Sequence, residues 1–408
     1  MINSGDTAFV LFSAALVLLM TPGLAFFYGG MVRRKNVLGV LMQCFIIMCV
    51  LSLQWVLFGY SLAFSPGNSF IGSLDWIGLK SVGLEPYADY AATIPHQAFM
   101  IFQAMFAVIT PALIIGAFAE RMKFSAFLLV TILWATFVYD PIAHMVWGVG
   151  GWMRNFGALD FAGGTVVHIN AGVAALVSAV FLGKRLNVGH AVPPHNLPFT
   201  VLGAGLLWFG WFGFNAGSAL GANGIAVNAF VVTNTAAAAA GITWAVIDWL
   251  KNGKPTMFGT ITGAVAGLVA ITPAAGFVGV IPAILIGIGV SCICFVMVTA
   301  VKIKFGYDDS LDAFGVHGIG GIFGALATGL FANKLINPAG ADGLFLGNPK
   351  LFLIQTGAVL VTIVYSLIVT VTIFKVVDFF VGLRVEEKEE LIGLDLSQHK
   401  EAAYTVLE

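Results

Sequence analysis

The sequence predicts an all-α, polytopic membrane protein of eleven transmembrane helices, with the N-terminus outside and the C-terminus in the cytoplasm. Three observations carry this. Of 408 residues 59% are hydrophobic and only 10% charged, with a mean hydropathy of +0.96, whereas a soluble chain carries about 25% charge. Apolar runs of about 18 to 25 residues, each long enough for a hydrocarbon core of about 30 Å, recur along the whole chain. Basic residues gather in alternate connectors. The same composition argues against a soluble enzyme, a disordered chain and a nucleic-acid binder, and a net charge of -1 gives no reason to look for a polyanionic partner.

Taken in order, the expected spans are 7–32, 37–64, 95–118, 125–147, 161–182, 198–220, 228–249, 257–276, 279–301, 311–332 and 351–377. The first has no basic stretch before it and stays apolar up to Arg33, which marks a retained span rather than a cleaved signal peptide. Fifteen of the nineteen basic residues lie after odd-numbered spans or in the C-terminal stretch, and only Lys80, Arg154, Lys334 and Lys350 remain for the other face. The positive-inside rule therefore puts the N-terminus outside, and an odd number of crossings brings the C-terminus into the cytoplasm. Residues 1–377 form one membrane domain. Residues 378–408 form a short acidic tail with no core of its own, expected to be solvated. The 65–94 stretch is expected to be an outer connector. The 49 glycines point to closely packed helices, and the four cysteines, all in apolar runs, read as small hydrophobes.

The two halves echo each other. Val167-His168 is followed by Gly172, and Val316-His317 by Gly321, each glycine four residues after its histidine. If spans 1–5 and 6–10 are repeats, five crossings per repeat make the second inverted relative to the first, and such a pseudo-two-fold places functional groups near the midplane.

Ionisable groups inside spans are costly and are the default functional hypothesis. Of seven histidines, His96 lies near the outer start of span 3, His190 and His195 in the inner loop after span 5, and His399 in the tail. His144, beside Asp140-Pro141, suits a structural hydrogen bond. His168 lies about 12 Å below the outer boundary and His317 about 9–15 Å from the inner one, so both fall near the midplane of a core of about 30 Å. Burial disfavours the imidazolium, so both rings are expected neutral, able to hydrogen-bond to each other and still present a polar edge to a guest. A metal centre is disfavoured, because no cysteine or carboxylate stands where it completes a tetrahedral shell. Asp160, which opens span 5, suits a helix N-cap better than a direct ligand.

Phe102 and Phe106 are i,i+4 neighbours in the outer half of span 3. Trp211, Phe214 and Ser218 share one face of span 6, and Trp147 ends span 4 on the same side. Converging at one level, they can hold a small cation through cation–π contacts of about 0.5–2 kcal/mol each and a serine hydroxyl. Carboxylate rings and carbonyl-filter sequences such as TVGYG are missing, which disfavours a simple cation channel. A bare charge in this lumen costs tens of kcal/mol, whereas a small weak acid that sheds its proton crosses neutral. Ammonium meets that requirement.

AFFYGGMVRRKN, FQAMF, GAFAERMKF, IAHMVWG, WFGWFGFNAGSA and LDAFGVHGIGG together resemble the ammonium transporter (Amt/Rh) family, on its bacterial and archaeal side, over nearly the whole chain. The resemblance implies a multi-pass cell-membrane homotrimer with one pore per subunit and no cofactor. It implies that Trp147, Ser218, Phe102 and Phe106 form an outer recruitment site for ammonium, that Phe106 and Phe214 are a stacked gate, and that His168 and His317 are a twin-histidine pair. Asp160 matches the acidic residue that supports the pore, and Phe27 and Tyr28 the inner end of the first helix. GLDLSQHKEAAY partly matches the tail on which PII-type regulators act, with Lys400 where glycine is common. Two other classes stand beside this reading. An ammonium sensor that binds but scarcely conducts needs a separate signalling partner. An intramembrane hydrolase needs an activated nucleophile beside a base, and neither buried histidine has one nearby, so no enzymatic activity is expected.

Overall fold

The computed structural model describes residues 1–186 and 194–404; His190 lies outside them. Its spanning helices are α1 Ser4–Met31, α2 Arg34–Phe64, α3 His96–Phe118, α4 Phe124–Phe156, α5 Gly164–Leu182, α6 Leu197–Gly217, α7 Gly224–Asn252, α8 Met257–Ile271, α9 Val280–Phe305, α10 Phe314–Phe331 and α11 Pro349–Phe380. Ten are long and apolar enough to cross a membrane; α8 is shorter than the rest. The chain is a multi-pass membrane protein, all-helical as the composition predicts.

The short α8 has a local cause. Its expected span ran to 276, but the helix ends at Ile271: Thr272 keeps helical geometry, and Pro273 after it has no N–H to extend the hydrogen-bond ladder. The turn that follows is buried, and its carbonyls need donors. Asn228 supplies them, its Nδ2 donating to Ala275 O and Val278 O at 3.0 Å each. Helices α5 and α10 likewise begin about three residues later than their apolar runs, at Gly164 and Phe314, each after a non-helical approach carrying an aspartate.

Helices α3 and α5 are almost wholly enclosed, whereas α7, α9 and α11 turn side chains such as Val227, Ile288, Leu353 and Leu360 outward. That apolar exterior suits lipid rather than water. Helix α1 packs most extensively against α6, the first members of the two halves, and α5 crosses α10, the last members. At that crossing a methyl group on Gly172 would run into Cα and N of Gly318, so only glycine lets the backbones approach this closely.

The connectors after α1, α3, α5 and α9 meet on one face, where the expected solvated tail is instead folded down. Its start pairs with the α3–α4 connector, Lys123 N donating to Leu383 O at 2.9 Å and Val385 N to Arg121 O at 3.1 Å. Two short helices follow, α12 Glu387–Ile392 and α13 Leu394–His399. Glu390 and Asp395 are buried. Asp395 Oδ1 accepts from Gly39 N at 2.8 Å, and Glu390 pairs with Arg384 at 2.8 Å. The sequence reads as a solvated tail because its acidic residues show no distant partners along the chain; in the fold Glu390 also accepts from Leu186 N at 2.6 Å, and Asp395 is held by the start of α2.

Glu120 is the hub of this face. Arg33 reaches it at 3.1 Å, Arg185 at 2.9 Å and Asn36 Nδ2 at 3.0 Å. Burial alone would raise its carboxyl, but Arg185 and Arg33 together hold it below the usual carboxylate value; at Asp308 burial again pulls upward and Arg185 outweighs it. A group with a depressed pKa stabilises the fold above its unfolded value and ceases to as pH falls through the folded one. Glu120→Gln is therefore expected to cost about 3 kcal/mol at neutral pH, read as a lower unfolding temperature in detergent. The gap between variant and wild type should close as pH falls through the carboxylate range.

Candidate functional site

The site is built on two wide helical turns. His168 lies in the π-turn Gly164–Ile169 and His317 in the π-turn Phe314–Gly318, so each ring hangs from a loosened stretch of helix. The glycine crossing brings the two turns together. The Nδ1 atoms are 3.4 Å apart and the rings lie nearly parallel, 15° between planes and 5.4 Å between centroids. Both are buried, and His168 Nε2 has no partner in the protein. Two facing nitrogens share one hydrogen bond only if one carries the proton and the other does not, so the pair holds opposite tautomers.

Aromatic rings wall one side. Trp211 stacks on His168 at 5.5 Å and 18°, held by Nε1 donating to Thr272 Oγ1 at 2.9 Å. Phe214 lies 6.0 Å from His168 and 4.3 Å from Phe106, so the Phe106–Phe214 pair roofs the histidines. Above it opens a vestibule of about 210 Å³ lined by Phe106, Trp147 and Ser218, with Gln103, Tyr90 and Arg154. Beside His317 lies a small cavity of about 10 Å³ lined by Phe27, Tyr28 and Val265.

Asp160 is a helix cap. Its Oδ1 accepts from Gly163 N and Gly164 N at 2.8 and 2.7 Å, and its Oδ2 from Thr165 N and Val166 N at 2.8 and 3.1 Å. Both oxygens are thus spent on the unpaired amides of the first turn, and none is left for a guest. The same residue's carbonyl receives Trp147 Nε1 at 2.8 Å, so the cap also positions the vestibule tryptophan.

One expected contact changes. Phe102 is fully buried behind Phe106, ring centroids 5.0 Å apart, and does not line the vestibule. The i,i+4 spacing gave the shared helix face correctly but not the depth, which the adjoining α6 sets at Gly217. His144 is structural, its ring nitrogens 3.0 and 2.8 Å from Ala63 O and Asn68 O.

Two groups escaped the sequence reading. Gln103 Oε1 borders the vestibule without a partner; polar residues adjacent to an aromatic pair are a weak signal. Asp309 is the counterpart of Asp160, accepting from Ala313 N and Phe314 N at 3.1 and 2.8 Å. It precedes His317 by eight residues, as Asp160 precedes His168, and that matched interval was available in the sequence. Burial, then neighbouring Asp312, pushes the Asp309 carboxyl up to about 7, against the pull of Lys302.

Removing the Asp160 cap is expected to loosen the π-turn before anything else. Hydrogen–deuterium exchange at the amides of residues 163–166 should rise strongly in Asp160→Ala and by less in Asp160→Asn, which keeps one acceptor oxygen. Unchanged exchange in both variants would contradict the capping role.

The family model described as the Ammonium Transporter Family matches residues 8–404. An ammonium transporter of Bacillus subtilis (strain 168) is 59% identical over 98% of both chains. The crystal structure of Candida albicans Mep2 superposes with a TM-score of 0.90 at 37% identity, covering 98% of this chain and 90% of its own. A solved sensor Amt protein matches with a TM-score of 0.88 at 27% identity, covering 97% and 98%. With its fold, its paired histidines and a family match spanning nearly its whole length, the chain belongs to the ammonium transporter family.

Proposed function

We propose that this protein takes up ammonium across the cell membrane and passes it through the subunit as ammonia. The observation that carries the reading is the buried His168–His317 pair directly beneath the Phe106–Phe214 stack. Ammonium is recruited in the vestibule, where the faces of Trp147 and Phe106 supply cation–π attraction and the Ser218 hydroxyl, donating to Phe214 O, keeps lone pairs for an N–H. The stacked phenyl rings then bar a hydrated cation. At the stack ammonium gives up its proton, either to the histidine pair or back to the water of the vestibule, and the small neutral ammonia continues along rings that give it one acceptor and one donor nitrogen at a time. Asp160 and Asp309 act through the backbone, fixing the two π-turns on which the histidines ride.

The basic face, with Arg33, Arg185 and the tail, is the cytoplasmic one by the positive-inside rule, and the vestibule opens outside. A homotrimer is the assembly, with each subunit carrying its own path. The docked tail gives a PII-type regulator a surface continuous with the connectors of this face. A second reading, an ammonium sensor that binds and conducts little, draws support from the match to the sensor Amt protein.

Replacing His168 and His317 together by leucine is expected to collapse methylammonium uptake in proteoliposomes; undiminished selective uptake would remove the pair from the mechanism. Comparing ammonium affinity with flux in the same preparation separates the two readings, since a sensor binds without matching flux. Electrical recording divides the transport reading further. A current on ammonium addition reports a proton relayed along the histidines, and flux without current reports ammonia alone.

A further inference from the structure

A second buried polar site lies within the spanning region, away from the histidines, between α2 and α4. Gln54 Nε2 donates to Asp140 Oδ2 at 2.8 Å and reaches Thr136 Oγ1 at 3.4 Å. Asp140 has no exposed surface and Gln54 almost none. The backbone is shaped around the pair. Gln54 stands immediately before the π-turn Trp55–Gly59, and Asp140 immediately after the π-turn Ala135–Tyr139. Such turns are rare and cluster at functional positions. Gly59 leaves the amide its place, since a Cβ there would meet Gln54 Oε1 at 2.5 Å and Nε2 at 2.7 Å and displace it from Asp140.

The pair is one donor short. Asp140 Oδ1 and Gln54 Oε1 both lack a hydrogen-bond partner. Among the described residues no Lys, Arg or His forms an ion pair with Asp140. On its own helix Asp140 has as titratable neighbours the Tyr139 phenol and, one turn on, His144, whose ring nitrogens already lie against Ala63 O and Asn68 O. From α2 it faces the neutral Gln54. An ionised carboxylate only accepts, so it would leave an uncompensated charge at membrane depth and bring no donor to the amide oxygen. One proton on the carboxyl removes the charge and supplies that donor, since a carboxylic acid and a primary amide are matched in donors and acceptors.

We propose that Asp140 is an intramembrane proton-binding site, a carboxylic acid kept protonated at neutral pH and hydrogen-bonded to Gln54, separate from the histidine path. Binding the proton locks α2 to α4; losing it would force the two π-turns apart.

Infrared spectra of the full-length protein reconstituted in lipid test this directly. The wild type minus Asp140→Asn difference is expected to show the C=O band of a protonated carboxylic acid from about pH 5 to about pH 9, a range in which an ordinary aspartate is ionised. A difference containing only carboxylate bands would overturn the proposal. Asp140→Asn is isosteric and neutral. Should it nonetheless fail to fold, Gln54→Leu carries the test: the protonated band should move to higher frequency as its hydrogen bond is lost, and a new carboxylate band in its place would refute the site. Folded Asp140→Asn is also expected to keep wild-type methylammonium uptake, whereas loss of uptake would place this proton on the transport path and contradict its separateness.

Discussion

The crossing of α5 and α10, where Gly172 meets the backbone of Gly318, is the contact on which the rest of the molecule depends. It lets two π-turns face each other closely enough for His168 and His317 to share a proton. Wide turns inside a membrane carry a cost, because their amides and carbonyls have no water to turn to. Asp160 and Asp309 meet that cost, each accepting the first amides of its own helix. The aromatic roof then needs no charge of its own. Trp211 and Phe214 stack on His168, and Phe106 closes over Phe214.

Much of this was legible in the sequence for definite physical reasons. Membrane crossing is set by the length of apolar runs, so most span ends were legible to within a few residues, the exceptions being the end of α4 and that of α8 at Pro273. Depth follows from helical rise, which is why two histidines in oppositely running spans could be placed at one level before their rings were seen to meet. Charge asymmetry fixed which connectors share a face, and the convergence of Arg33, Glu120, Arg185 and Asp308 agrees with it.

What was not legible depended on partners distant in sequence. The tail's acidic run looked solvated, yet Glu390 and Asp395 are buried against connectors more than 200 residues upstream. Phe102 shares a helical face with Phe106, but only the packing of α6 decides that it lies behind the vestibule. Periodicity gives direction around a helix and says nothing about what stands opposite. Asp140 passed as a neighbour of His144 because its environment is made by α2, not by its own helix.

The central claim is that a lumen of aromatic faces and neutral imidazoles admits a substrate that can become neutral and refuses a cation that cannot. Rubidium is comparable to ammonium in size but has no proton to lose. Tracer uptake of rubidium and of methylammonium, measured side by side in the same proteoliposomes, tests the claim most directly. The account predicts methylammonium uptake that rises with protein content and rubidium uptake at the level of protein-free vesicles. Protein-dependent rubidium uptake comparable to that of methylammonium would contradict it.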